Sequence, residues 1–204
     1  VIPAAKPQNM SDATSSGKAG SALGRLVAGI QAWPGWDGLA PLIMRAMLLN
    51  DETYQDFSRD QNANGRARLI VSLGILAAVI GAAGSGLASA IVHLPAAALG
   101  WGAYAVAVYA FGTQAFRGRR DKDAFTRLLQ GLGLASAPAF LLVLGIVPVY
   151  GPLFILAAYM WLLLTTVAAV IPALELDSQS ALVTGTAGCV VLFAVSQVVP
   201  LLLV

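Results

Sequence analysis

The sequence predicts an all-α fold: a polytopic membrane helix bundle with five transmembrane helices and an N-terminal interfacial amphipathic segment. Hydrophobic residues make up 58% of the 204 residues and charged residues only 11%, whereas soluble domains have about 45–50% and about 25%. Apolar runs of about 20 residues, the length that crosses a bilayer, recur along residues 69–204. The charged residues lie outside these runs.

This composition argues against several classes of protein. A chain this apolar is not expected to be disordered. It is also not expected to be a small secreted domain held together by disulfides, because its single cysteine, Cys189, cannot form an internal disulfide. The net charge of only +2 provides no basic face for nucleic acid. We therefore expect the lipid bilayer as its surroundings and no nucleic-acid partner.

Charged or turn-forming segments separate the predicted spans. Helices suit a bilayer because they satisfy their own backbone hydrogen bonds, and the runs lack the alternation of barrel strands. Breaks are expected at His93–Pro95, Arg117–Arg127, Pro148–Pro152 and Pro172–Ser180; the first and third are short enough to be tight hairpins or re-entrant elements instead. The spans are predicted at Leu69–Val92, Pro95–Phe116, Leu128–Val147, Leu153–Ile171 and Ala181–Val204.

Basic residues predict the orientation of the bundle. All 12 lie either before the first span or in the second connection. Because cytoplasmic loops carry the excess of Lys and Arg, both regions are predicted to be cytoplasmic. The basic residues are Lys6, Lys18, Arg25, Arg45, Arg59, Arg66, Arg68, Arg117, Arg119, Arg120, Lys122 and Arg127.

Three segments are expected along the chain: a flexible cytoplasmic tail (1–38), amphipathic helices (39–68) and the five-helix domain (69–204). In the second segment, Asn50 is a plausible N-cap with acidic residues after it. Tyr54 and Phe57 follow three residues apart, on one side of the predicted helix. The segment either lies on the cytoplasmic membrane surface or packs against the cytoplasmic ends of the spans.

The spans contain no Asp, Glu, Lys or Arg, whereas transporters and intramembrane enzymes usually keep ionisable groups at membrane depth. We therefore expect no catalytic residue, no metal and no cofactor. His93, the only histidine, is predicted to lie in a surface loop, and a pigment or haem bound to it is the least favoured possibility. Pro138 should kink the third span.

Two sets of residues are candidates for helix packing or contact between loops. Small side chains allow close approach of helices, within the bundle or between subunits. Glu175 and Asp177 could form a salt-bridged clamp with the basic connection, or an ion or lipid-headgroup site. The packing candidates are Gly74, Ala78, Gly81, Ala82, Gly84, Pro138, Gly185 and Gly188, and the clamp candidates are Arg117, Arg119, Arg120, Arg127, Glu175 and Asp177.

Several sequence elements, in order, resemble the Yip1 family in its bacterial form. They are Leu48-Leu-Asn-Asp-Glu-Thr-Tyr-Gln-Asp-Phe57, Phe125-Thr-Arg-Leu-Leu-Gln-Gly-Leu-Gly-Leu-Ala-Ser-Ala-Pro138, Leu144-Gly-Ile-Val-Pro-Val-Tyr-Gly151, Trp161 and Ala173-Leu-Glu-Leu-Asp-Ser-Gln-Ser-Ala181. The resemblance covers residues 39–204. It implies five spans, a cytoplasmic N-terminus, no enzyme activity and a bacterial inner membrane. The eukaryotic Asp-Leu-Tyr-Gly-Pro element has no convincing match, so a small GTPase partner is doubtful.

Two functions follow as expectations. The first is a non-enzymatic membrane protein that acts by association, as a membrane-organising factor or as an accessory subunit of a larger membrane complex, through other integral membrane subunits or self-association. The second is a small transporter or channel for a neutral or lipid-like substrate. In that case Pro138 and polar residues such as Gln130 and Thr165 would line its path.

Overall fold

The computed structural model describes residues 38–60, 63–121, 123–147 and 149–203, and every regular element in these ranges is a helix. The all-α prediction is therefore confirmed for them, whereas the predicted tail, apart from Gly38, lies outside the described residues. The elements are α1 (Leu39–Met47), α2 (Asp51–Arg59), α3 (Ala63–Ala83), α4 (Leu87–Ala110) with a π-helical turn (Phe111–Ala115), α5 (Ala124–Ala135), a 3₁₀ helix (Ala137–Ile146), α6 (Gly151–Leu174) and α7 (Ser178–Leu203).

Four of these helices (α3, α4 with its π-helical turn, α6 and α7) are long and apolar enough to cross a membrane. The pair formed by α5 and the 3₁₀ helix is also apolar enough, but it bends by 40° at the junction. The number of candidate spans is therefore four, or five where the bent pair counts as one. This places the chain among multi-pass membrane proteins.

The first break between spans lies at Gly84–Gly86, and the predicted break at His93 is wrong. Gly86 has a φ of +116°, which glycine adopts readily, so the Gly-Ser-Gly sequence ends α3. His93 and Pro95 lie inside α4 instead. Pro is tolerated within membrane helices because neighbouring groups satisfy the carbonyl that it frees.

The predicted Pro172–Ser180 connection is shorter than expected. Helix α6 continues through Pro172 to Leu174, and α7 begins at Ser178. Glu175 ends α6 in the left-handed conformation. Asp177 accepts hydrogen bonds from the backbone N–H groups of Gln179 and Ser180, both at 3.1 Å, and so begins α7.

The kink predicted at Pro138 is present. Helix α5 ends at Ala135, and the chain continues as a 3₁₀ helix with Pro138 in its first turn. Ala139 N–H bonds to the Ser136 carbonyl at 2.9 Å rather than one residue further back. The Ala135 carbonyl accepts from Thr165 Oγ1 at 2.8 Å instead, so a side chain of α6 satisfies the group that the kink frees.

The spans form a ring. Helix α3 packs against α4 and the 3₁₀ helix, α4 against α7, and α6 against α7, α5 and the 3₁₀ helix. A buried apolar core fills the part of the ring that includes Tyr104, Leu128 and Leu174. It lies next to the basic loop (residues 116–123), which joins the π-helical turn to α5. The opposite part of the ring is less completely filled.

Part of the predicted amphipathic segment (39–68) forms the two helices α1 and α2, whereas its residues from Ala63 onward belong to α3. Asn50 caps α2 by accepting the Thr53 backbone N–H at 3.0 Å. Tyr54 and Phe57 are 1% and 4% exposed and lie on a helix that packs against α5 and α6. Of the two arrangements left open by the sequence, the structure shows packing against the spans.

Candidate ligand-binding cleft

A cleft of about 280 Å³ lies inside the ring, between α3, α4, the 3₁₀ helix, α6 and α7. This volume is close to the lower limit of small-molecule pockets, about 300–1,000 Å³. Small side chains such as Gly74, Ala78, Ala97 and Ala158 line much of the wall. The cleft exists because these residues leave the centre of the ring unfilled.

Three polar side chains form the floor of the cleft, and all are satisfied within the protein. Trp101 Nε1–H donates to Ser136 Oγ at 3.1 Å, and Ser136 Oγ–H donates to the Leu132 carbonyl at 2.8 Å. Tyr104 OH lies 2.5 Å from Thr166 Oγ1. These bonds connect α4 to the end of α5 and to α6, so the floor is a braced, closed surface.

The open end of the cleft is formed by Ser85, Ser89, His93 and Gln197, of which Ser85 and Gln197 are exposed. His93 Nδ1 lies 2.8 Å from the Ser89 backbone carbonyl. Nδ1 also lies 3.3 Å from Ser89 Oγ. In the tautomer that carries its proton on Nδ1, the ring donates to the carbonyl, and Nε2 is then an acceptor. The Gln197 amide has no hydrogen-bond partner among the described residues. The open end therefore offers unused hydrogen-bonding capacity.

A polar stripe along α4 builds one wall of the cleft, and the sequence prediction missed it. Ser89, His93 and Trp101 recur along α4 at multiples of four residues, with the small Ala97 between them, and all four line the cleft. Ser85, which lies in the turn before α4, also lines it. Residues four apart lie on the same side of a helix. The spacing could have revealed the stripe, but the break predicted at His93 divided it between two elements.

The residues expected to line a transport path lie elsewhere. Pro138, Gln130 and Thr165 are not among the cleft-lining residues. Gln130 Nε2 donates to the Asp60 carbonyl at 3.4 Å, and Thr165 bonds to backbone carbonyls. These side chains connect helices within the protein.

The predicted small residues of α3 contact the 3₁₀ helix or line the cleft. A Cβ atom added at Gly81 would overlap the Leu142 carbonyl oxygen, and one at Gly84 would lie 3.0 Å from Ile146 Cα. A Cβ at Gly74 would lie 3.1 Å from Ala139 Cβ. Ala78 and Ala82 line the cleft.

The small residues of α7 are also used inside the chain. Gly185 faces Thr166 and Val167 of α6, and Gly188 lies so close to α4 that an added Cβ would overlap Val108 Cγ2. Together with the glycines of α3, these residues serve packing within one chain. Each of these glycines therefore faces another helix of the same chain.

An ion pair joins the basic loop to the connection between α6 and α7. Arg119 Nη1 lies 2.5 Å from Glu175 Oε1. Asp121 is held between Arg119 and Arg127, each at 2.6 Å, and the hydrogen bond from Arg127 lowers the pKa of the Asp121 carboxyl below its usual range. This exposed cluster joins two loops at the end of the bundle away from the cleft.

The other clamp candidates have different positions. Arg120 Nε–H donates to the Thr113 carbonyl at 2.9 Å, and Arg117 is exposed with a φ of +55°. Asp177 does not join the clamp. The Ser180 hydroxyl donates a hydrogen bond that stabilises the Asp177 carboxylate and so lowers its pKa.

Within the described residues, no three His, Cys, Asp or Glu side chains converge as a metal site would require. The cleft is therefore the candidate functional site, with polar groups at its open end and small or apolar walls below. Comparison with protein-family models, with curated proteins and with solved structures gives no match for this chain.

Proposed function

We propose that this protein is a non-enzymatic membrane carrier that binds a neutral, lipid-like molecule in the cleft between its helices. The observation that supports the proposal is the cleft itself. Its lining includes no Asp, Glu, Lys or Arg, and mostly apolar walls with a few polar groups are typical of small-molecule sites. An electrically neutral, partly apolar ligand would suit such a lining.

We further propose that the bent pair of α5 and the 3₁₀ helix is one span, giving five in all. At 1.5 Å per residue in the α-helix and 2.0 Å in the 3₁₀ helix, the pair would be about 38 Å long, enough for about 30 Å of hydrocarbon. Because two spans precede the basic loop, it would lie on the same side of the membrane as the N-terminus, and its Lys and Arg residues favour the cytoplasm for both. Membership of the Yip1 family and a bacterial inner-membrane location complete this proposal, supported by the ordered sequence elements quoted above.

Filling the cleft tests the carrier proposal. Ala97 lines the cleft, whereas Ala98 is exposed on the outer side of the same helix, so Ala97→Phe and Ala98→Phe are a matched pair. The probe is hexadecane with a terminal diazirine, added to the protein in nanodiscs. After irradiation, mass spectrometry compares labelling of Trp101 in the floor with labelling of Leu99, which is 59% exposed.

We expect Trp101 to be labelled in the native protein and in Ala98→Phe, and to lose most of its labelling in Ala97→Phe. Leu99 serves as an internal reference because bulk lipid reaches it in every variant. Thermal unfolding checks that both variants are folded. Trp101 labelling that is absent in the native protein, or equal in both variants, would contradict the carrier proposal.

Association with other membrane proteins is a second proposal. Only 17% of the most apolar stretch of α7 is buried within the protein, against 33% for α6. Large side chains of α7 such as Val190 and Phe193 are exposed. A partner helix could cover this surface in place of lipid. We expect a native mass in mild detergent above that of one 21.0 kDa chain, and a stable single-chain species would contradict association.

A further inference from the structure

We propose that the cleft selects a single-chain amphiphile with an uncharged, hydrogen-bonding head, such as a long-chain alcohol or primary amide. The head would lie beside His93 and Gln197, and the chain would extend toward Trp101. This inference rests on the proposed carrier function and specifies the ligand class. Three independent properties of the cleft lead to it.

The first property is the absence of charge from the lining. The described Arg residues nearest in sequence to α4 lie in the basic loop, and Arg119 and Arg120 are engaged there with Glu175 and the Thr113 carbonyl. A carboxylate or phosphate at the open end would lose part of its hydration without gaining a cationic partner, which is unfavourable. An uncharged head avoids this cost.

The second property is the hydrogen-bonding pattern of the open end. With Nδ1–H donating to the Ser89 carbonyl, His93 Nε2 is an acceptor, so the head would donate a hydrogen bond to it. The amide of Gln197 can both donate and accept. An O–H or N–H group that also carries an acceptor oxygen satisfies both side chains, whereas a hydrocarbon satisfies neither.

The third property is the shape of the cleft. Ser89 and Trp101 lie twelve residues apart on α4, a rise of about 18 Å along the helix. The cleft is therefore elongated, with a volume of about 280 Å³ and walls that include Gly74, Ala78 and Ala158. We expect so small a cleft to take one extended chain rather than the two chains of a phospholipid. The polar side chains of the floor are already hydrogen-bonded within the protein, so they offer no free group to a polar head at that end of the cleft.

The test is competition against the diazirine-hexadecane label at Trp101, in nanodiscs at pH 8. The competitors are hexadecanol, palmitamide, hexadecane, palmitate and dioleoyl phosphatidylcholine. We expect hexadecanol and palmitamide to compete at mole fractions about tenfold lower than the other three. Two hydrogen bonds of about 0.5–1.5 kcal/mol each correspond to a factor of this size.

Two variants locate the head, and one serves as control. His93→Leu and Gln197→Leu should each reduce the preference for hexadecanol over hexadecane by about threefold or more, while labelling of Trp101 by the hexadecane probe persists. The control is Gln114→Leu, the same Gln-to-Leu substitution at an exposed residue of the π-helical turn, outside the cleft. It should leave the preference for hexadecanol over hexadecane unaltered.

Each other outcome overturns a defined part of the proposal. Hexadecane that competes as well as hexadecanol would disprove recognition of the head, and the carrier function would stand. If palmitate competes best, the cleft does not select a neutral head. If the phospholipid competes best, the cleft does not select a single chain. Absence of labelling at Trp101 before any competitor is added would instead disprove the carrier function itself.

Discussion

Replacing Gly81 with alanine is expected to destabilise the protein by about 3 kcal/mol, at the upper end of the usual cost of overpacking. The new Cβ would overlap the Leu142 carbonyl oxygen and lie 3.1 Å from Leu142 C. Both are backbone atoms, so no side chain can rotate away. Helix α3 and the 3₁₀ helix would have to separate. Unfolding of the purified protein in mixed micelles, titrated with sodium dodecyl sulfate, measures the change.

Gly102→Ala is the matched control for this prediction. Gly102 also lies in a membrane-spanning helix, but a Cβ added there would meet nothing within 4 Å. Because alanine favours helix more than glycine does, by about 1 kcal/mol, this variant should be as stable as the native protein or slightly more stable. Equal stability of the Gly81 and Gly102 variants would show that α3 and the 3₁₀ helix are not in close contact.

Replacing Tyr54 with alanine is expected to detach α2 from the spans. The Tyr54 ring is 1% exposed, and its hydroxyl donates to the Ala46 carbonyl at 3.0 Å. Truncation of a buried aromatic side chain costs about 3–5 kcal/mol. Because α2 is short and peripheral, we expect local release. Limited trypsin digestion should show faster cleavage after Arg59, which is exposed at the end of α2.

Two further variants separate the contributions at this site. Tyr54→Phe keeps the buried ring and loses only the hydrogen bond, at about 1 kcal/mol, so its cleavage should accelerate much less. Glu52→Ala changes an exposed residue of the same helix and should be cleaved at the native rate. A native rate for Tyr54→Ala would mean that the ring does not hold α2 in place.

The fold class and the N-terminal helices could be predicted because their signals are local. Composition and apolar runs identify membrane helices directly. Asn50 followed by acidic residues predicts the start of α2, and the capping bond to Thr53 is present. The salt-bridge partners Arg119 and Glu175 were among the candidates because charge is rare in the second half of the chain.

The remaining features depend on tertiary contacts that the chain does not signal locally. Ala137–Ile146 is uniformly apolar, so nothing in its residues distinguishes a 3₁₀ helix from an α-helix. The backbone of the 3₁₀ helix lies against Gly81 and Gly84. This contact is between residues far apart in the chain, so the local sequence does not predict it. The break predicted at His93–Pro95 divided α4 between two spans and so concealed its polar stripe, whereas the actual break lies at Gly84–Gly86.

The braced floor has a consequence for how any guest could travel. Trp101 with Ser136, and Tyr104 with Thr166, form a plug across the middle of the ring, so the cleft is a blind-ended vestibule. On the proposed carrier function, a guest that enters past the exposed Ser85 and Gln197 would leave by the same route. Withdrawing a molecule from one leaflet and presenting it again there requires no change in the plug, whereas passage to the opposite leaflet would require both bonds to break.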